Sequence, residues 1–268
     1  MDFAPMMQGD ARAAGASAPI VETGELTRRF GDFTAVDRVT LAIAPGETFA
    51  LIGPNGAGKS TLMKMLTTML PPTSGWARIA GYDVARQARQ VRARIGYVPQ
   101  VLSADGELTG QENMELSARL YLIPRAQRAA KVAAGLAMMD LTDAKDRLVR
   151  TYSGGMARRL EVAQSTLHRP AVLFLDEPTV GLDPGGRRAV WAHVREMQAE
   201  IGAAVVFTTH YMDEAEAVCD RVALIHRGRV AALGAPRALK AQLGPTASLD
   251  DVFTSLAGAR IGAGGAPG

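Results

Sequence analysis

With 268 residues, 47% of them hydrophobic, the chain can bury the core of one large α/β domain or two small ones. Its net charge of +3 is mild, 5% of residues are aromatic, and acids interleave with bases, which argues against a groove that grips nucleic acid by charge and base stacking. The single Cys219 excludes an internal disulfide and a multi-cysteine metal site, and no uninterrupted apolar window of about 18 residues is long enough to cross a membrane.

Residues 1–19 are rich in Met, Ala, Gly and Pro but lack a basic start followed by an apolar core, so they read as a disordered leader rather than a signal peptide. Short β-like runs follow at Ile20 to Leu26, Val39 to Ile43, Thr48 to Ile52 and Trp76 to Ala80, separated by turn signals such as Pro45-Gly46 and Pro71-Pro72-Thr73-Ser74-Gly75. Between the third run and the helical stretch Thr61 to Leu66 stands Gly53-Pro54-Asn55-Gly56-Ala57-Gly58-Lys59-Ser60, a G-x-x-x-x-G-K-[ST] loop. Its glycines let the backbone curl round phosphates while consecutive N–H groups and the positive end of the helix dipole face the anion. That geometry calls for a nucleoside triphosphate with magnesium, Lys59 reaching the β- and γ-phosphates and Ser60 holding the metal.

From 101 to about 169 the texture turns helical, with apolar periodicity through Met114, Ala118 and Tyr121 and again through Val132, Leu136 and Met139; an α-helical insert is expected there. Continuous apolar runs at Val172 to Leu175 and Val205 to Phe207 then read as strands buried on both faces of a parallel sheet. The first ends in Asp176-Glu177, an aspartate placed beside magnesium and a glutamate placed to polarise an attacking water. Between the two runs lies an amphipathic helix with Val190, Val194, Met197 and Ile201 on one face, Asp183 as cap, Pro184 in its first turn and Gly202 at its end. The second run exits into Thr208-Thr209-His210, which puts His210 at the same sheet edge, within reach of a γ-phosphate or the attacking water. Cys219 reads as a small buried hydrophobe of a reducing cytoplasm, and 257–268 as a flexible tail.

With these segments in hand, the chain resembles the ATP-binding subunit of an ABC transporter over nearly all of residues 20 to 256. Tyr152-Ser153-Gly154-Gly155-Met156 stands where the family has its Leu-Ser-Gly-Gly-Gln signature. The resemblance implies a P-loop α/β core with an antiparallel β subdomain and a helical insert, and an enzyme that hydrolyses ATP. It also implies that Ser153, Gly154 and Gly155 cap the γ-phosphate of an ATP held by a second, identical subunit. A helix start with small residues can do this, since it exposes N–H groups to an anion; an ordinary serine N-cap is the other use of the same residues. By the same resemblance Thr61 joins Lys59 and Ser60 on phosphate and metal. Gln100, in Gly96-Tyr97-Val98-Pro99-Gln100, touches magnesium and links the site to a membrane permease. Phe30 stacks on adenine, with a packed core Phe as the alternative, and Asp183 crosses the dimer interface while also capping its helix.

Tyr152 and Met156 depart from the usual signature. With Gly181-Leu182-Asp183-Pro184 and Leu249-Asp250-Asp251-Val252-Phe253 they resemble the drug-resistance exporters of the daunorubicin type. The reading is then a cytoplasmic ATPase, held at the inner membrane face by its permease, that drives export and has no nucleic-acid partner. A soluble ABC-type ATPase acting on nucleic acid or ribosomes is the alternative; it usually carries two ATPase units or a long coiled-coil insertion, neither of which is present. A GTP switch is disfavoured because no Asn-Lys-x-Asp segment exists.

Overall fold

The computed structural model describes residues 18–244 and 246–262, so the expected leader, apart from Ala18 and Pro19, and residues 263–268 of the expected tail lie outside the described residues. β1 (Val21–Phe30) and β2 (Phe33–Ile43) form an antiparallel hairpin that turns at Gly31, φ 57°. Both strands run further than their apolar patterns predict, because register shifts let the arginine-rich end of β1 stay paired out to Phe30. β3 (Thr48–Ile52) leads into α1 (Lys59–Leu66). β4 (Ser74–Ile79) and β5 (Tyr82–Asp83) join through Ala80-Gly81, whose φ values of 49° and 83° are those of a tight two-residue turn.

After α2 (Ala88–Arg92) and β6 (Ile95–Val98) comes the helical insert: α3 (Gly110–Leu120), α4 (Arg125–Met138) and α5 (Gly154–Thr166). Its first helix is set by a reciprocal cap, Thr109 accepting from the Glu112 amide at 3.1 Å and Glu112 from the Thr109 amide at 2.8 Å. The chain finishes with β7 (Val172–Asp176), α6 (Pro184–Ile201), β8 (Ala204–Thr209), α7 (Met212–Val218), β9 (Arg221–His226), β10 (Arg229–Gly234), α8 (Pro236–Ala241) and α9 (Leu249–Gly262). Asp183 caps α6 through the Gly186 amide at 2.6 Å and Gly202 ends it at φ 70°, as the sequence predicts. α9 carries helical backbone six residues past 256, into the segment expected as a flexible tail.

One sheet is antiparallel in the order β2-β1-β4-β5; the other runs β10-β9-β3-β8-β7-β6, parallel except for the edge strand β10. The parallel sheet divides the core by the two-residue alternation of its strands. Ala50, Ile52, Leu173, Leu175, Val205 and Phe207 face the helical insert, α6 and α7. Phe49, Leu51, Val172, Phe174, Ala204 and Val206 face α1 and the antiparallel sheet. Because β3, β8 and β7 are parallel neighbours, the loops leaving their carboxyl ends emerge side by side, where α/β sheets bind their ligands.

His168 gives the fold a pH response. Its ring stacks on Tyr121 with centroids 4.0 Å apart, its Nε2 lies 3.0 Å from the Ile95 carbonyl, and its buried Nδ1 has no partner among the described residues. Burial pushes its pKa below the ordinary histidine value, against the pull of the Ile95 carbonyl, and Lys131 pushes it the same way as burial. The native ring therefore stays neutral where the unfolded ring, with a pKa near ~6.5, takes up a proton. Stability present above that value is lost as pH falls below it. Relative to His168→Phe, which keeps the stack but cannot titrate, the wild type should lose at most about 1.4 kcal/mol per pH unit below ~6.5. Urea midpoints of the two proteins from pH 7.5 to 5.5 check this; parallel curves would clear His168.

Candidate functional site

The loop from β3 to α1 takes its shape from two glycines that no other residue can replace. Gly53 (φ 151°) and Gly58 (φ 107°) both occupy backbone that favours glycine, and an added Cβ would sit 2.2 Å from the Ile225 carbonyl oxygen at the first and 2.4 Å from that of Ala35 at the second. Pro54, Asn55 and Gly56 remain exposed at the crest, Ala57 is buried beneath them, and α1 starts with Lys59, Ser60 and Thr61, whose amides have no intrahelical acceptor. The Lys59 ammonium, 4% exposed, bends back over the loop to donate to the carbonyls of Gly53 (2.7 Å) and Pro54 (3.2 Å), and lies 3.9 Å from Glu177. Burial lowers its pKa, while the carboxylates of Glu177 and Asp176 pull it back up.

The ends of β7 and β8 supply the rest of this cluster. Asp176 accepts from the Thr208 hydroxyl at 2.5 Å and from the Ser60 hydroxyl at 3.3 Å. Glu177 turns into the left-handed region at φ 49°, held by its amide on the Thr208 hydroxyl at 2.9 Å. One of its carboxylate oxygens lies 3.1 Å from His210 Nδ1. Since an ionised carboxylate only accepts, Nδ1 carries the proton in that contact. Lys59, Ser60, Asp176, Glu177 and His210, which the sequence predicts at three separate strand exits, thus meet in one cluster.

Other expected residues form a second group. Ser153 caps α5, accepting from the Met156 amide at 3.2 Å, and is exposed, as is Gly154. The cap thus exists, and it leaves the serine proton and the first helix amides facing out. The start of α5 lies against the turn before α6: a Cβ on Gly154 would come 3.1 Å from Leu182, the neighbour of Asp183. Among the described residues no hydrogen bond or ion pair joins Ser153, Gly154, Gly155 or Asp183 to the first cluster. Phe30 is 46% exposed with the Arg28 guanidinium 4.6 Å from its ring centre, so it is not a core residue. It pairs with Phe33, two residues before the Ala35 that abuts Gly58, which places the hairpin tip beside the phosphate loop.

The ABC transporter family matches residues 36–180. The chain is 46% identical to the daunorubicin/doxorubicin resistance ATP-binding protein of Streptomyces peucetius over 84% of its length and 68% of the relative's. It is 44% identical to a daunorubicin resistance ATP-binding protein of Streptomyces coeruleorubidus over 81% of its length and 68% of that protein. The chain belongs to the ABC transporter family. A solved ATP-binding subunit of an ABC transporter superposes with a TM-score of 0.78 at 30% identity, over 89% of this chain and 99% of that one. This ABC protein is accordingly an ATP-binding subunit that hydrolyses ATP to power transport.

The structure of the ABC subunit also brings in residues that sequence reasoning misses. Gln100 is exposed, but the loop carrying it is fastened from behind: buried Arg158 on α5 donates to the carbonyls of Pro99 (2.6 Å) and Gln100 (2.9 Å) and pairs with buried Glu161 at 2.9 Å. Glu161 in turn accepts from the amide and hydroxyl of Ser103. In sequence these are two charges on a helix three apart, which ordinarily point to solvent. Thr208 was visible within Thr208-Thr209-His210, yet only the strand register shows it facing Asp176. Among the described residues no helix is long and apolar enough to cross a membrane.

Proposed function

We propose that two copies of this chain sandwich two ATP molecules and that their hydrolysis drives export of drug-like compounds through a membrane permease at the cytoplasmic face. The observation that carries the reading is the meeting of Lys59, Ser60, Asp176, Glu177 and His210 at the ends of three neighbouring strands. Lys59, now satisfied by loop carbonyls, would turn to the β- and γ-phosphates, with the backbone N–H groups of residues 55–61 around them. Ser60 and Asp176 offer hard oxygen donors suited to magnesium, with Gln100 as a further ligand, and the metal would neutralise charge on the phosphates. Glu177 takes the proton of the attacking water as its oxygen bonds to the γ-phosphorus and the bond to the β-phosphate oxygen breaks. His210 orients that carboxylate and faces the γ-phosphate. Ser153, Gly154 and Gly155 complete the site of the neighbouring copy, with Asp183 at the interface.

The permease reading has support of its own. Val101 (78% exposed) and Leu102 follow Gln100 directly in the chain, and exposed Leu116 and Leu120 line a cavity of about 240 Å³ that also reaches Tyr97, Ser103 and Glu161. Such a patch suits an apolar segment of a partner. The drug class follows the names of the Streptomyces relatives. The test is ATP-dependent accumulation of daunorubicin in inside-out vesicles holding this chain and its permease: uptake present with wild type and absent with Glu177→Gln supports the reading, and uptake equal in both overturns it.

Base recognition gives a separate expectation. Stacking on the exposed Phe30 reads a π-face rather than hydrogen-bonding edges and is worth about 1 to 3 kcal/mol. Phe30→Ala should therefore weaken ATP and GTP together, by roughly 5- to 150-fold. Calorimetry showing unchanged ATP affinity in the folded variant would free Phe30 of this role.

A further inference from the structure

We propose that Glu214 is a positioning residue that sets the spacing between Glu177 and His210; the proposal rests on the hydrolytic roles given to those two residues above. Glu214 lies on α7 and is buried, yet among the described residues it forms no ion pair. Its carboxylate instead collects three neutral donors. Oε1 accepts from the Trp191 indole at 2.7 Å and from the Thr179 hydroxyl, and Oε2 accepts from the Thr209 hydroxyl at 2.6 Å. Thr209 Oγ1 in turn accepts the Tyr211 amide at 3.0 Å, which closes the backbone around His210.

A buried carboxylate without a cation is costly, and a leucine would pack α7 against α6 at less cost. What leucine could not do is tie three segments to one point. Thr179 lies two residues past Glu177, Thr209 immediately precedes His210, and Trp191 belongs to the helix that Asp183 caps. One side chain therefore spans the exits of β7 and β8 from behind, while Glu177 and His210 meet at 3.1 Å in front. Glu177 sits at φ 49°, a conformation that persists only where its surroundings hold it. A shift at either exit would open the Glu177–His210 contact without touching the phosphate loop, so turnover and not ATP affinity should register it.

Two substitutions cut the same arm from opposite sides. Glu214→Gln keeps an oxygen for Trp191 and Thr179 but turns an amide nitrogen toward Thr209; Thr209→Val removes the hydroxyl with little change of shape. ATP turnover, ATP affinity by calorimetry and Tm are measured on the full-length chain for both singles, the double and His210→Ala. Val132→Ala, which opens the distant α4 core, serves as a control for lost stability. The expected result is kcat lowered about tenfold or more in each single variant, ATP affinity within about twofold, and a double variant no slower than the slower single. Val132→Ala should lower Tm and leave kcat within about twofold. A folded Thr209→Val with wild-type kcat overturns the proposal even if Glu214→Gln fails to fold, as do losses that multiply in the double variant or a kcat that simply tracks Tm. Slow His210→Ala beside a normal Glu214→Gln sinks only the tether, whereas wild-type turnover by His210→Ala sinks the hydrolytic reading itself.

Discussion

Glu177→Gln should bind ATP as the wild type does and hydrolyse it about a hundredfold more slowly or worse. The amide preserves the shape of a side chain that is 6% exposed and still accepts from His210 Nδ1, so the architecture of the cluster survives. It loses the negative charge that draws a proton from water and that faces Lys59 at 3.9 Å. With binding intact and hydrolysis stopped, ATP-bound dimers should accumulate, visible as a nucleotide-dependent shift in size-exclusion chromatography. Turnover within a few-fold of wild type would remove Glu177 from the role of base.

Mixing two dead variants should restore activity. Lys59→Ala damages the phosphate loop and Ser153→Arg blocks the start of α5; as homodimers each carries a defect in both shared sites. In a mixed dimer one composite site collects both defects and the other none. This follows from the separation of the two groups of residues within one chain, and from the outward-facing Ser153 and Gly154. A site completed within its own chain predicts no rescue. ATP turnover of heterodimers purified through two different affinity tags decides the matter: activity no higher than either mutant homodimer, with dimer formation verified, would count against sharing.

Much of this cluster is legible in the sequence, because its chemistry is written locally. The phosphate loop needs eight consecutive residues, and its glycines fall where the backbone demands them. Asp176, Glu177 and His210 follow apolar runs, so their common edge came from strand polarity alone, and α6 announced itself through Asp183, Pro184 and Gly202. The hidden parts depend on partners distant in sequence. Asp213, Glu214 and Glu216 look alike in the segment 213–216, and only packing against Trp191, Thr179 and Thr209 marks out the middle one. β9 is missing from the strands expected from sequence, and its pairing with β3 makes it part of the main sheet. The extension of β1 to Phe30 rests on irregular pairing that alternation cannot reveal.

The fastening of residues 99–103 to α5 bears on timescale. By sequence and exposure the Gln100 segment is a surface loop, the kind whose amides exchange with solvent in the fast regime. Its Ser103 amide, however, is donated to the buried Glu161 carboxylate, and two of its carbonyls are taken by buried Arg158. Deuterium can reach that amide only when it leaves the Glu161 carboxylate, so Ser103 should exchange more slowly than its exposed position suggests. The slow amide would then mark the Gln100 segment as a loop that opens with the helix behind it rather than ahead of it.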